Sequence, residues 1–366
     1  MTQVQHWVLA INPGATSTKL ALYQGDSLVS DQLIRHADEE LAGFETVAGQ
    51  VGLRGAAVRA FLAEAKPERL DAVVGRGGLL RPVASGTYRV DEIMLAELAS
   101  ADRGEHASNL GAILAQGLAR ELGVDAFIVD PVCVDELAPL ARISGLAGLE
   151  RESLGHALNT KAVARRYAEE VGRPYPELRL VVAHLGTGIS VSAHRDGRMV
   201  DVTNPRDEGP MSPDRPGSLP TGPLVDRCFR TGADRHTIRR ELLGGGGMRS
   251  YLDTTDLREA RARIAAGDGL ARQVVDAMVY QIGKAVGEMA TVLRGELDAV
   301  LLTGGLAHDT ELVEAVVARV GWIAPTRIYA GEDELRALAQ GALRVLRGQE
   351  KPRLYGAVGE GSEVLI

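Results

Sequence analysis

A duplicated α/β protein, with two similar halves and a cleft between them, is the fold class this sequence predicts. Three observations lead there. A strand, a small polar turn and a second strand open the chain at residues 7–11, 12–19 and 20–23, and the same unit returns at 180–184, 185–188 and 189–194. Each copy turns again at a glycine beside an aspartate, Gly25 with Asp26 and Gly197 with Asp196, and the offset is constant: 186 − 14 and 197 − 25 are both 172. In each half the strands come first and helical periodicity follows.

Taken in order, the first hairpin continues into a third strand near 27–33. An alanine-rich helix is expected at 55–65, and Asp71-Ala72-Val73-Val74-Gly75 reads as a buried strand. Helices are expected at 91–99 and 108–122, the second with Ser108 as N-cap and Gly123 just past its end. Phe127-Ile128-Val129 is a further buried strand, stopped by Asp130-Pro131, and 156–171 is helical up to Gly172 and Pro174. The second copy repeats three strands, then turns irregular from 204 to 223. A helical block spans 256–293 with a break near Gly267. It is followed by a strand at 298–303 ending in Gly304-Gly305, a helix at 310–320, a strand at 326–329 and a helix at 334–346. Residues 351–366 are left unassigned. The expected domains are 1–150 with 345–366, and 151–344.

Composition narrows the function classes. The 366 residues allow roughly two or three domains. A net charge of −8, from 41 Lys+Arg against 49 Asp+Glu, disfavours binding to a nucleic-acid backbone. Aromatics are only 4%, so the cores are expected to be aliphatic. Cys133 and Cys228 offer no disulfide framework and no metal-ligand spacing. No apolar run approaches the ~20 residues of a membrane span, and a cytoplasmic protein is expected.

The motifs of a P-loop, of a Rossmann dinucleotide site and of Ser-His-Asp hydrolysis are absent. No Gly-x-x-x-x-Gly-Lys-Ser/Thr string occurs, no strand-turn-helix Gly-x-Gly-x-x-Gly, and no Gly-x-Ser-x-Gly elbow. What remains is phosphate binding at a hairpin tip, which needs small residues for close backbone approach, hydroxyl donors and a cation. Asn12, Gly14, Thr16, Ser17, Thr18 and Lys19 supply these in the first copy. A polar hairpin tip alone is a weak signal, because most are only turns; the second copy strengthens it.

The motifs then become specific. Ile11-Asn12-Pro13-Gly14-Ala15-Thr16-Ser17-Thr18-Lys19, Gly75-Arg76-Gly77-Gly78, Val129-Asp130-Pro131-Val132 and Arg142-Ile143-Ser144-Gly145 occur in the first part of the chain. His156-Ala157-Leu158-Asn159-Thr160-Lys161, His184-Leu185-Gly186-Thr187-Gly188 and Ser212-Pro213-Asp214-Arg215-Pro216-Gly217 follow. In these stretches, and in their order over most of its length, the sequence resembles the acetokinase family, and within it the butyrate branch. The resemblance implies a duplicated ribonuclease-H-like, actin-like ATPase fold with ATP in the interdomain cleft. It also implies reversible transfer of the γ-phosphoryl group to a short aliphatic carboxylate, butyrate or a branched relative, giving an acyl phosphate. ATP/ADP and Mg2+ are the implied cofactors, and a homodimer or higher homo-oligomer the implied assembly.

Transfer to a carboxylate brings two anions together, so cationic clamps and a metal must neutralise charge. Arg76, in a Gly-rich turn after a buried strand, is placed to grip the acceptor carboxylate bidentately; the alternative is an ordinary surface arginine. Arg215 sits in a loop stiffened by Pro213 and Pro216, and the resemblance assigns it to the transferring phosphoryl group or the carboxylate. His156 opens a helix, where a capping or packing role is the simpler reading; the resemblance makes it a donor to phosphoryl oxygens in the transition state. His106 matches a family histidine near the acceptor. Asn12, Ser17, Thr18 and Lys19, together with His184, Gly186, Thr187 and Gly188, are assigned to the nucleotide phosphates. Leu301-Leu302-Thr303-Gly304-Gly305-Leu306 matches the adenosine loop through Gly304 and Gly305. Asp130, ending a buried strand before proline, is expected to point into the cleft and to hold Mg2+ or orient the acceptor. Glu334 is the expected second metal carboxylate, Asp333 next, although an acidic helix start is favourable by itself. The run Gly244–Gly247 reads as a loop, a hinge or part of the nucleotide pocket. His36, His194, His236 and His308 read as ordinary histidines.

Two positions depart from the family pattern. Ala15 stands where a hydroxyl is usual, leaving the first tip one phosphate donor short. Thr187 replaces the asparagine of acetate kinases, and with the Asn-Pro-Gly form of the first tip it favours the butyrate branch. Three alternatives stay open: acetate or propionate as acceptor, an actin-like ATPase switch that binds proteins, and a nucleotide-binding protein without turnover.

Overall fold

The computed structural model describes residues 5–356. The end of the unassigned C-terminal segment, from 357 on, lies outside the described residues. Twelve strands are found among them: β1 (Trp7–Pro13), β2 (Ser17–Gln24), β3 (Ser27–Arg35), β4 (Ala72–Gly75), β5 (Thr87–Arg89) and β6 (Asp125–Val129), then β7 (Leu180–Leu185), β8 (Ile189–Arg195), β9 (Arg198–Val202), β10 (Ala299–Gly304), β11 (Thr326–Ala330) and β12 (Arg353–Leu354).

The chain folds as two compact units, 1–135 with 333–366, and 136–332. Both junctions fall earlier in the chain than 150 and 345. Glu136 and Ala138 belong to the second unit because Met199 N–H donates to the Glu136 carboxylate (2.9 Å) and Ala138 N–H donates to Val200 C=O (2.8 Å). The helix Glu334–Leu346 belongs to the first because its apolar face packs on β1, β4 and β6.

The first unit carries a seven-stranded sheet in the order β12-β5-β6-β4-β1-β2-β3. β1, β2 and β3 form an antiparallel meander, while β4 and β6 add in parallel on the other side of β1. The second unit repeats this. Its five-stranded sheet runs β11-β10-β7-β8-β9, with β7, β8 and β9 as the meander and β10 and β11 parallel. Even the meander irregularity recurs, with a register shift between Leu22 and Tyr23 in β2 and between Ala193 and His194 in β8.

Burial follows from the pleat. β7 is covered on both faces, as parallel-sheet strands are: Val181, Ala183 and Leu185 join the core under the long helix Gly269–Val292, whereas Leu180 and Val182 face the helix Ala157–Val171. This alternation turns His184 toward the helix Ala157–Val171. Helix ends follow local chemistry. Asp91 caps Glu92–Ser100 by accepting from Met94 N–H (2.9 Å), and Gly123 and Gly172 end Asn109–Leu122 and Ala157–Val171 in the left-handed conformation. Ser108 does sit at an N-cap position, but its hydroxyl pairs with His106 Nδ1 (2.7 Å) instead of capping the helix. The break at Gly267 separates Leu257–Ala265 from Gly269–Val292. Two exposed helices, Thr221–Cys228 and Arg235–Leu242, lie where no regular structure was expected or assigned.

Candidate active site

In the first unit, β1 and β2 hold a tight tip closed by Gly14 N–H donating to Ser17 C=O (2.7 Å). Ala15 and Thr16 are exposed at its end, and Lys19 is exposed on β2. Thr18 points the other way. It is fully buried, and its hydroxyl meets His36 Nε2 (2.9 Å) and Arg54 Nη1 (3.0 Å).

Three residues far apart in sequence converge beside this tip. Asn12, at the end of β1, donates from Nδ2 to the Glu334 carboxylate (2.6 Å), and Arg76 Nη1 pairs with the same carboxylate. Arg76 follows β4, its N–H continuing the parallel ladder onto Ile11 C=O (2.9 Å). The helix Asn109–Leu122 crosses so closely that a Cβ on Gly75 would lie 2.0 Å from Gly111 C=O, and one on Gly111 2.2 Å from Arg76 C=O. Only glycine at both positions permits that approach. Asn109, which the sequence reading passed over, fixes the turn after Arg76: its Oδ1 accepts from Leu79 N–H (2.9 Å) and its Nδ2 donates to Gly104 C=O (3.1 Å). Exposed His106 lies on the loop so anchored.

Asp130 is buried, with 1% of its surface exposed. One carboxylate oxygen accepts from Ser85 Oγ (2.6 Å) and Gly86 N–H (2.8 Å). Its φ of 37° is a left-handed conformation, unusual for a non-glycine residue and more so before proline, where extended backbone is the norm.

In the second unit, the tip between β7 and β8 is backed by imidazoles. His184 and His156 stack with ring centroids 3.8 Å apart and planes 12° from parallel. His184 Nδ1 bonds Asn159 Oδ1 (2.8 Å), and His156 Nδ1 bonds Ser190 Oγ (2.8 Å). Asn159 Nδ2 in turn donates to Glu332 C=O (2.8 Å). Asn159 lies three residues after His156, on the same side of one helix, which is the signal that could have found it. A Cβ on Gly186 would lie 2.8 Å from His184 Nε2, and one on Gly304, at the end of β10, 2.4 Å from Leu185 C=O; on Gly305 it would meet open space.

The tip is tied to the Arg215 loop, because Ser212 Oγ donates to Thr187 C=O while Ser212 N–H donates to Arg215 C=O (2.9 Å). The glycine run now has a role. Met248 and Arg249 N–H donate to Ser212 C=O (3.0 Å) and Pro213 C=O (2.9 Å), and Gly247, at φ 61°, passes so close that a Cβ would sit 1.9 Å from Ser212 C=O. The Arg215 Nε lies 3.4 Å from Asp214 Oδ1 as an ion pair without hydrogen-bond geometry. Burial pushes the Asp214 carboxyl above its usual range, against the lowering by Arg215 and Arg249.

Residues 151–323 match the model of the acetokinase family. Over 349 residues the chain is 49% identical to a protein of Enterococcus faecalis named "Probable butyrate kinase", covering 95% of this chain and 97% of that one. The chain belongs to the acetokinase family. A second relative from the family's butyrate branch, "Butyrate kinase 1" of Clostridium acetobutylicum, is 46% identical over 351 residues, 95% of this chain and 99% of that one. Among solved structures, a Porphyromonas gingivalis acetate kinase matches with a TM-score of 0.76 at 19% identity, over 93% of this chain and all of that one. A Francisella tularensis propionate kinase matches with 0.72 at 17%, over 91% and 98%. At such identity the likeness establishes the fold, the duplicated actin-like architecture expected above.

Within this family fold the expected residues form two groups. Asn12, Arg76 and Glu334 meet in the first unit; His156, His184, Gly186, Thr187, Gly188 and the Arg215 loop meet in the second. The acidic run divides at the junction. Glu332 joins Asn159 and His184 (His184 Nε2 to Glu332 Oε1, 3.8 Å), and Glu334 joins Arg76. Among the described residues no three His, Cys, Asp or Glu side chains gather as a metal site. Mg2+ needs fewer protein ligands, one or two carboxylates with phosphates and water. Asp130 and Glu334 are hard oxygen donors of that kind, and Glu334 already balances a cation.

Proposed function

We infer that the protein is a carboxylate kinase that moves the γ-phosphoryl group of ATP to a short aliphatic acid, butyrate or a branched relative, reversibly. The observation that carries this is 46–49% identity over 95% of the chain to proteins named as butyrate kinases. In the reaction a carboxylate oxygen attacks the γ-phosphorus, the bond from phosphorus to the β-bridging oxygen breaks, and its electron pair leaves with ADP. No proton moves.

Positioning and charge neutralisation therefore do the work. We assign Arg76 to the acceptor carboxylate. Its partner in the structure, Glu334, is the same functional group as the acceptor, which supports the assignment. His106 is assigned to the acceptor as well. Arg215 and His156 are assigned to the phosphoryl oxygens, and the two tips with Gly304 and Gly305 to the nucleotide. Glu334 and Asp130 are the residues that would hold Mg2+, which would supply charge neutralisation when bound with the nucleotide. Consumption of ATP suits the cytoplasm, and a homodimer or higher homo-oligomer is proposed. No helix among the described residues is long and apolar enough to cross a membrane.

Hydroxylamine trapping with ATP, Mg2+ and a panel of acids of two to six carbons tests the reading. Acyl hydroxamate is expected, most from butyrate or a branched acid. None from any acid would sink it, and ATP hydrolysis indifferent to added acid would favour a switch protein. A maximum at acetate or propionate would move the acceptor assignment without moving the reaction.

A further inference from the structure

The first tip is backed by a cation that the proposed reaction has not used. Arg54, on the helix Val51–Ala65, is fully buried. Its Nη1 donates to Ser17 C=O (2.8 Å) and to Thr18 Oγ1 (3.0 Å), its Nη2 to Ala15 C=O (2.9 Å), and its Nε to Gln50 Oε1 (3.0 Å). Among the described residues no carboxylate pairs with it. The carboxylate of Glu40, which acts on His36, accepts from Ala37 N–H (3.1 Å). His36, on the far side of Thr18, does not offset the charge. Burial and then the Arg54 charge hold its imidazole below the ordinary range.

A buried guanidinium without a counter-ion is costly and calls for a reason. The hydrogen bonds supply one. Ala15 C=O and Ser17 C=O turn inward to Arg54, and Thr16 C=O turns inward to His36 N–H (2.9 Å). Every carbonyl from 15 to 17 is thus drawn away from the exposed end of the tip. The N–H groups of Ala15 and Thr16 have no acceptor among the described residues. The outward surface is left with donors, and a positive charge lies directly behind them where screening by water is weak.

We propose that Arg54 is the positioning residue of the first phosphate loop, holding its carbonyls inward and supplying the fixed charge that a nucleotide's phosphates balance on binding. This rests on the kinase reading and deepens it. It also answers the departure at Ala15: the missing hydroxyl is a lost side-chain donor in a loop whose backbone and rear charge are arranged for an anion.

The test is calorimetric titration of the full chain with ATP, ADP and adenosine, comparing wild type, Arg54→Gln and Arg54→Lys, alongside the hydroxamate assay. Loss of a charge-assisted contact set predicts ATP and ADP affinities lowered roughly 10- to 100-fold in Arg54→Gln, with adenosine affinity kept within about twofold. The KM for ATP should rise in step while that for the acid stays. Lysine keeps the charge without the fork, so Arg54→Lys should lose less, about three- to tenfold. A folded variant with the wild-type ratio of ATP to adenosine affinity overturns the proposal, as does an equal loss for adenosine. Should Arg54→Gln fail to fold, Arg54→Lys decides by the same ratio. An active wild type with an unmoved ratio removes only the role of Arg54, whereas a wild type that binds ATP but makes no hydroxamate removes only the kinase reading.

Discussion

The two hairpin tips are copies in topology, yet different groups stand behind them. The first rests on one guanidinium that grips Ala15, Ser17 and Thr18. The second rests on two stacked imidazoles, His156 and His184, oriented by Ser190 and Asn159, and is tied through Ser212 to the loop of Arg215. A fixed charge favours an anion whenever one is present. Hydrogen-bonding rings favour it most where charge and geometry change. Duplication therefore supplied the same backbone twice, and side chains from other elements back the two copies with different chemistry; under the proposed function both tips face the nucleotide, and the second is predicted to act on the phosphoryl group in transfer as well.

The largest expected effect tests that division. His156→Ala removes the stack and should lower kcat roughly 10²- to 10³-fold, as loss of a transition-state donor does, with little change in the KM for ATP. A variant that instead raises the KM for ATP and keeps kcat would make the two tips equivalent. Next comes the bracing of each tip. Gly247→Ala forces a Cβ to 1.9 Å from Ser212 C=O at φ 61°, and should destabilise the protein by about 2–4 kcal/mol in urea unfolding. Gly14→Ala meets Ser17 Oγ at 3.3 Å and Ser17 C=O at 3.6 Å and should cost about 1 kcal/mol or less. Equal costs would show that the second tip is no more tightly built than the first.

The smallest effect is in pH. Each hairpin region buries a histidine held neutral. Burial, then the Arg54 charge, lowers His36 from its usual 6.5; burial, then Lys161 and Arg165, lowers His194 well below it. His194 is completely enclosed, bonded to Tyr175 Oη (2.7 Å) and Ser192 Oγ (2.8 Å). Below about pH 6.5 the unfolded chain takes up protons that the folded chain refuses, so stability falls with pH down to the folded-state pKa values. Urea midpoints between about pH 7.5 and pH 5 should drop for wild type, less for His36→Gln, and least for His194→Gln. An unaltered slope in His194→Gln would remove this account of the second hairpin.

Much of the fold was legible because its signals are local. The hairpin repeat, the helix Asn109–Leu122 ending at Gly123, the break at Gly267 and the helix Glu334–Leu346 all rest on periodicity and on glycine within a few residues of each other. The helices Thr221–Cys228 and Arg235–Leu242 were missed because, being short and exposed, they carry no buried face to impose a period. At the site, motif residues were legible and their partners were not. Arg76 and Glu334 are 258 residues apart, and nothing near either one names the other. Asp130 was expected to point into the cleft from the end of its strand; its left-handed turn to Ser85 and Gly86 depends on a neighbouring segment that the strand itself does not name.

By itself the sequence determined the duplicated strand order, the glycine positions at the tips, and family membership, since these depend on spacing along one chain. Only the tertiary structure decided that Arg54 lies behind the first tip, that His156 and His184 stack, and that Gly247 braces the Arg215 loop. Each of those is a contact across large sequence separation, and its energy comes from burial and hydrogen-bond geometry that exist only once the sheets and helices have packed.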